Sequence, residues 1–195
     1  MNYGPRFDEA LRRFDHENAC DPHLVIFDGA SLPYELLYSK WITDWVRRLC
    51  SSPSEALLLA ARCQHICRWV IPRKSYPMTR AGYLQWRAEL KQFHAAKSAG
   101  ILREVGYTED LVERVQELNL KKNLAHDPEC QVLEDALCLV TLQHQLTELI
   151  DKTEGEKMVS ILQKTWKKMS PAAREQALAL QFSEREKELL QRALA

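Results

Sequence analysis

The sequence predicts an all-α protein, with a single compact multi-helix domain over residues 1–195. Two observations lead to this class. Apolar residues recur three and four positions apart along most of the chain, which is the spacing of one helix face. Alternation of apolar and polar residues, the pattern of a half-buried strand, persists nowhere. We expect the core within residues 33–150, with C-terminal helices over residues 156–195 packing on it.

The first half of the chain is predicted to hold four helices. The first covers residues 6–19, and the short apolar run 24–27 that follows it is too isolated to found a sheet. A second helix is predicted to begin with Pro33 at its first position and to cover residues 33–49. A capping box and a proline begin the third helix, predicted over residues 52–70, and the fourth is predicted over residues 79–106.

The second half repeats the same signals and brings the total to about eight helices. Thr108 is a candidate cap for the next helix, and Asp127 followed by proline opens the one after it. A helix is predicted over residues 157–169. Ser170 and Ser183 are then placed to cap the last two helices.

Composition excludes several classes of protein. Lysine plus arginine and aspartate plus glutamate both number 27, so no global field attracts nucleic acid, which is an unlikely partner. No apolar span approaches the roughly 18 to 20 residues that cross a bilayer, so no membrane partner is expected. The six cysteines lie mostly in apolar helical patterns, and the N-terminus lacks a signal-peptide core. The sequence therefore predicts reduced thiols in a cytoplasmic protein.

Two adjacent carboxylates, Glu134 and Asp135, are the only charges in the apolar run 131–142. A helix that is apolar on all sides is normally buried. Burying two carboxylates without partners costs several kcal/mol or shifts their pKa values. We therefore expect a cation to meet them, either a metal ion or a basic side chain such as Arg62, Arg68 or Arg87.

The metal hypothesis adds two histidines from other apolar helices. His65 and His94, with Glu134 and Asp135, offer imidazole nitrogens and carboxylate oxygens to a divalent Zn, Mn or Fe ion. Glu134 and Asp135 would then also be catalytic, and Glu35 is a weaker candidate for a third acidic residue. The alternative is that each histidine is a hydrogen-bonded core residue.

Basic residues surround these candidates in the sequence. On the predicted third helix, Arg62, His65 and Arg68 stand three apart and would share a face. Guanidinium groups are preferred partners of phosphate and carboxylate. The predicted substrate-binding residues are Arg62, Arg68, Arg73, Arg80, Arg87, Lys164 and Lys168.

Together these residues predict a metal-dependent hydrolase that acts on a phosphorylated or otherwise anionic small molecule. The alternative function is a non-catalytic helical module whose arginine cluster holds an acidic ligand, a partner or RNA.

The chain resembles a family of bacterial and fungal proteins catalogued only as a domain of unknown function. The similar segments are 33–38 (PYELLY), 62–69 (RCQHICRW), 71–73 (IPR), 76–77 (YP), 82–87 (GYLQWR), 93–95 (FHA), 133–136 (LEDA) and 164–170 (KTWKKMS). The resemblance covers almost the whole chain and implies an all-helical domain with no established activity.

A looser similarity links the chain to the HD superfamily of metal-dependent phosphohydrolases. Matched by position, His65 would be the first histidine of that pattern, His94 the second and Asp135 the distal aspartate. The family has an aspartate directly after its second histidine, whereas this chain has Ala95. The resemblance thus implies an HD-like fold in which either Glu134 replaces the missing ligand or the metal is absent.

Overall fold

A computed structural model describes residues 3–195, and in that part of the chain it confirms the all-α class. Ten α-helices and one β-hairpin make up the structure. The helices are α1 (Pro5–Asn18), α2 (Tyr34–Leu49), α3 (Glu55–Cys63), α4 (Arg80–Val105), α5 (Glu109–Leu120), α6 (Pro128–Val140), α7 (Leu146–Asp151), α8 (Gly155–Lys168), α9 (Pro171–Leu178) and α10 (Glu184–Leu194). The strands are β1 (Leu24–Phe27) and β2 (Ala30–Pro33), paired antiparallel.

The hairpin corrects the expectation that the run 24–27 would found no sheet. Asp28 and Gly29 join its strands, and both have positive φ, 49° and 77°. Two consecutive residues with positive φ make the tight turn that matches the twist of a hairpin. The run therefore needs no distant strand, because its partner follows two residues later. At its end Phe27 packs edge-on against Trp41 of α2, with ring centroids 5.4 Å apart.

Helix α3 ends seven residues before its predicted end. Cys67 adopts a left-handed conformation with φ 53°, and a 3-10 turn follows at Arg68–Val70. The amide of Cys67 donates to Asn18 Oδ1 of α1 at 3.1 Å, so a contact with a distant helix replaces the helical hydrogen bond. The prediction that Arg62, His65 and Arg68 share one helix face was therefore wrong.

Helix α3 is the central helix of the bundle. Seven of its nine residues are buried, namely Ala56, Leu57, Leu58, Leu59, Ala60, Ala61 and Cys63. It packs against α1, α2, α5 and α6, and one hydrophobic cluster continues from Phe7 to Ala193. All six cysteines are free thiols. Among residues 3–195, no helix is both long and apolar enough to cross a membrane.

Helix α6 packs along α2 and continues through a π-helical turn at Thr141–Gln145 into α7. The Thr141 hydroxyl donates to the Gln145 side-chain oxygen at 3.0 Å, and the Gln145 amide donates to the Tyr34 hydroxyl of α2. Such turns insert one residue into a helix and often occur at functional sites. Here the turn directs Thr141 and Gln145 toward the start of α2.

The start of α4 lies against the loop that precedes it. A Cβ atom added at Gly82 would lie 2.2 Å from the Pro77 carbonyl oxygen. The Arg73 guanidinium holds that loop by donating to the carbonyls of Tyr76, Pro77 and Thr79, at 3.1, 2.9 and 3.3 Å. Only glycine permits this approach of helix and loop backbone.

We therefore expect Gly82→Ala to destabilise the protein by about 1–3 kcal/mol through overpacking. The matched control is Gly100→Ala in the same helix, where an added Cβ meets no atom within 4 Å. That change should stabilise by about 0.5–1 kcal/mol, the difference in helix propensity. Urea denaturation at pH 7 measures both, and equal effects of the two changes would contradict the close approach at Gly82.

Candidate functional site

A cavity of about 570 Å³ opens where α2, α4, α6 and α8 face one another. Its walls come from α2, from the turn after α3, from α4, from the end of α5 and from the segment α6 to α8. The hydrophilic and aromatic side chains that line it are those of Tyr34, Glu35, Tyr38, Gln64, His65, Arg68, Tyr83, Arg87, Lys91, His94, Lys121, Glu134, Thr141, Gln145, Glu148, Lys152, Thr165 and Lys168. Parts of the chain that lie far apart in sequence thus converge on this cavity.

Cations exceed carboxylates in the lining of the cavity. The cations are Arg68, Arg87, Lys91, Lys121, Lys152 and Lys168. The carboxylates are Glu35, Glu134 and Glu148. Because the charge of the whole chain is balanced, this excess is a local property of the cavity, and it favours an anionic occupant.

Glu134 lies on α6 and is 4 % exposed. It pairs with Lys121 and, at 3.3 Å, with Lys168, the last residue of α8. Burial opposes ionisation, yet the two lysines hold the pKa of Glu134 below its usual value. The sequence predicted that either a metal ion or a basic side chain would meet Glu134. In the structure basic side chains meet it, but they belong to two lysines and not to the three arginines proposed from the sequence.

Lys91 carries a positive charge that forms no ion pair in the described part of the chain and that only the charge of Glu134 partly offsets. It is half-buried on α4, one turn after Arg87, and neither residue forms an ion pair within residues 3–195. Burial, together with the neighbouring Lys121 and Arg87, lowers the pKa of Lys91. A bound anion would relieve this repulsion.

Glu35 lies at the start of α2 and is 6 % exposed. The nearest cationic atom is Arg68 Nε at 3.9 Å, and His65 Nδ1, on a ring whose pKa burial lowers, lies at 3.8 Å; both are beyond hydrogen-bonding distance. Burial raises the pKa of Glu35 to about 8 against the attraction of Arg68. Its Oε2 atom is buried and has no hydrogen-bond partner in the described part of the chain. Glu35 is therefore a protonated carboxyl group at pH 7.

The two histidines predicted as metal ligands meet in the cavity, with ring centroids 5.7 Å apart. His65 stacks on Tyr38 at 4.6 Å. His94 Nδ1 lies 2.8 Å from the Ile66 carbonyl oxygen, so Nδ1 carries the proton and Nε2 is an acceptor. That Nε2 is buried without a partner in residues 3–195. Burial lowers the pKa of His94 to about 4, so the ring is neutral at pH 7.

Asp135, the other predicted acid, faces away from these groups. It accepts hydrogen bonds from the backbone amide of Ser170 and from the Gln131 side chain, both at 2.9 Å, and so joins α6 to the start of α9. The structure thus brings three of the four predicted ligands to one cavity and places Asp135 elsewhere. Within residues 3–195, no group of three or more His, Cys, Asp or Glu side chains is already arranged to hold a metal ion.

The predicted substrate-binding cations divide in the same way. Arg68, Arg87 and Lys168 line the cavity. Arg62 instead pairs with Asp15 of α1 at 2.7 Å, and Arg73 holds the loop before α4. Arg80 and Lys164 lie exposed on the surface.

Sequence reasoning did not select Lys91, Lys121, Tyr34 or Gln64 for the site. One signal for Lys91 was present, because Arg87, Lys91 and His94 follow one another at helical spacings of four and three residues. Lys121 and Lys122 gave no such signal, because in the sequence they follow the helix that begins after Thr108, where cations ordinarily complement the helix dipole.

Comparison with known proteins identifies one family. A family model described as Domain of unknown function (DUF4202) matches residues 8–190, nearly the whole chain. No curated protein and no solved structure matches the sequence.

Proposed function

We propose that this chain, which belongs to the family described as Domain of unknown function (DUF4202), binds a phosphorylated small molecule in the cavity and hydrolyses its phosphate ester. The observation that carries the proposal is the half-buried Lys91, whose nearest charged neighbours are mostly other cations. The positively charged form of a lysine in this position is disfavoured until an anion enters the cavity. A phosphate group supplies two negative charges and several strong acceptor oxygens, which Lys and Arg side chains bind well.

Glu35 supports hydrolysis as well as binding. When the phosphorus–oxygen bond of an ester breaks, the departing oxygen needs a proton. A carboxyl group with a pKa near 8 holds that proton at pH 7 and is a suitable general acid. The unprotonated Nε2 of His94 is a candidate acceptor for the proton of the attacking water. In this proposal Arg87, Lys91 and Lys121 hold the phosphate.

We expect Lys91→Gln to weaken the binding of inorganic phosphate by about tenfold, the loss of one hydrogen bond between charged groups. Isothermal titration calorimetry at fixed ionic strength measures the dissociation constant. The matched control is Lys164→Gln, which removes an exposed lysine outside the cavity and should leave the constant unchanged. Equal affinities of wild type and Lys91→Gln would contradict the proposed binding site.

Turnover is tested on a panel of phosphomonoesters, with release of inorganic phosphate as the measurement. Glu35→Gln should retain phosphate binding and lose turnover. Binding without turnover of any ester would instead favour the non-catalytic module that holds an acidic ligand.

A divalent metal of the Zn, Mn or Fe class is a second candidate, favoured by two unpartnered buried atoms, Glu35 Oε2 and His94 Nε2. The hydrogen bond from His94 Nδ1 to a backbone carbonyl is the usual support of a metal-ligating histidine. His65, His94 and Glu35 would hold the ion, since Glu134 already has two lysines. A bound metal would polarise a phosphoryl oxygen and lower the pKa of a bound water.

Elemental analysis of the purified protein, followed by titration with Zn and Mn, tests this candidate. One equivalent taken up by the wild type and lost in His94→Ala would support it. No uptake by the folded wild type would exclude these ions from the mechanism.

A further inference from the structure

A second cavity of about 580 Å³ adjoins the first along α4. Tyr83, Arg87 and Lys91 line both cavities, so the two cavities meet at these side chains. The second cavity is also lined by Leu84, Leu120 and Lys122, which do not line the first. A ligand longer than one phosphate group can therefore reach from one cavity into the other across Arg87 and Lys91.

Two consecutive lysines after α5 line different cavities. Lys121 lines the first and Lys122 lines the second. They separate because Lys121 has a left-handed backbone with φ 55°, which is uncommon for a residue with a side chain. The turn is held by hydrogen bonds from the Lys121 amide to Leu118 O at 3.1 Å and from the Lys122 amide to Glu117 O at 3.0 Å. The backbone conformation therefore places Lys121 in the first cavity and Lys122 in the second.

The second cavity is cationic and partly apolar. Arg87, Lys91 and Lys122 line it, and none of the three forms an ion pair within residues 3–195. In that described part of the chain, no aspartate or glutamate lines this cavity. Beside the cations, Leu84 is 57 % exposed and Tyr83 is 41 % exposed. Such a surface suits an anionic group attached to an aromatic or apolar body.

We propose that Arg87, Lys91 and Lys122 form a second anion subsite, and that the ligand of this protein is a nucleotide-like molecule with at least two anionic groups. One group occupies the first cavity and another lies against Lys122, with Arg87 and Lys91 between them. The aromatic part of the ligand packs on Tyr83 and Leu84. This inference rests on the proposed function, because it extends the ligand held in the first cavity.

The test compares three probes by calorimetry in the presence of EDTA: inorganic phosphate, tripolyphosphate and ATP. We expect Lys122→Gln to weaken tripolyphosphate and ATP binding about five- to tenfold and to leave phosphate binding within twofold. Leu84→Ser should weaken ATP binding alone. Lys164→Gln, an exposed lysine lining neither cavity, is the matched control for charge.

The outcomes separate this inference from the function on which it rests. Phosphate binding that depends on Lys91, with tripolyphosphate binding insensitive to Lys122→Gln, would overturn the second subsite and leave the first intact. Tripolyphosphate binding that depends on Lys122, without detectable phosphate binding, would support the subsite and overturn the proposed function. A loss of the same size for all three probes in Lys122→Gln would also overturn the subsite.

Discussion

Replacing Glu35 by glutamine is expected to raise the free energy of unfolding by about 3 kcal/mol at pH 7, which is unusual for a change in a cavity. Burial raises the pKa of this carboxyl group to about 8 in the folded protein, from an ordinary value of 4.5. At pH 7 folding must therefore protonate a group that is ionised in the unfolded chain. Each unit of pKa difference corresponds to about 1.4 kcal/mol. Glutamine has a similar shape and avoids this cost.

The size of this stabilisation depends on pH. Between pH 4.5 and pH 8 the folded wild type binds more protons at Glu35 than the unfolded chain does, so its stability falls as pH rises through this window. The variant lacks this dependence at position 35. The difference between the two proteins should therefore be largest near pH 8 and vanish near pH 4.5. Urea denaturation at intervals from pH 4.5 to pH 8.5 measures it.

Glu148→Gln is the matched control, because Glu148 lines the same cavity but is exposed and paired with Lys152. Its effect should stay within about 0.5 kcal/mol at every pH. A Glu35→Gln variant that is less stable than wild type at pH 8, in metal-free buffer, would show that Glu35 is ionised and compensated in the folded protein. If Zn or Mn stabilised the wild type but not the variant, the metal candidate would gain support.

Several helix boundaries followed from local signals in the sequence. The capping box predicted to begin the third helix at residue 52 was wrong, because α3 begins at Glu55 and Ser54 caps it by accepting from the Leu57 amide. Thr79 caps α4 through the Gly82 amide, and Gly106 ends it in a left-handed conformation. Ser170 and Ser183 cap α9 and α10 as expected. The end of α3 could not be predicted in this way, because the residue that interrupts it, Cys67, bonds to Asn18, 49 positions earlier.

For Glu134 and Asp135 the sequence correctly predicted burial, but it did not predict that the two side chains have different partners. Their burial, at 4 % and 3 % exposure, follows from the apolar helix around them. Adjacent residues of a helix do not face each other, however. Glu134 therefore reaches the lysines of the cavity while Asp135 reaches the backbone of Ser170. Treating the two as one ligand pair was the error, and helix geometry alone argues against it.

The partners of Glu134 could not be identified from the sequence because both lie at chain positions without a distinctive pattern. Lys121 directly follows the last residue of α5 and Lys168 is the last residue of α8. A lysine at a helix end is usually explained by the helix dipole. Only the packing of α5, α6 and α8 around one cavity gives these lysines a shared carboxylate.

Glu134→Gln is expected to destabilise the protein by about 3 kcal/mol, since it removes one partner of a buried ion pair. The change keeps the side-chain volume and leaves Lys91, Lys121 and Lys168 without their common carboxylate. The pKa of Glu134 is lowered in the folded protein, so its contribution is fully present above pH 4.5 and is lost as pH falls through the lowered folded value. The gap between variant and wild type should therefore narrow in acid, as urea denaturation can measure.

The same change should make phosphate a better ligand, because the anion then takes the place of the missing carboxylate. A ligand that binds only the folded state stabilises it by RT ln(1 + [L]/Kd). We expect about 10 mM phosphate to raise the free energy of unfolding of Glu134→Gln more than that of wild type. Asp135→Asn is the control, since Asp135 bonds to Ser170 and Gln131, and its response to phosphate should equal that of wild type. Equal stabilisation of all three proteins would mean that the uncompensated charge of the cavity does not bind the anion.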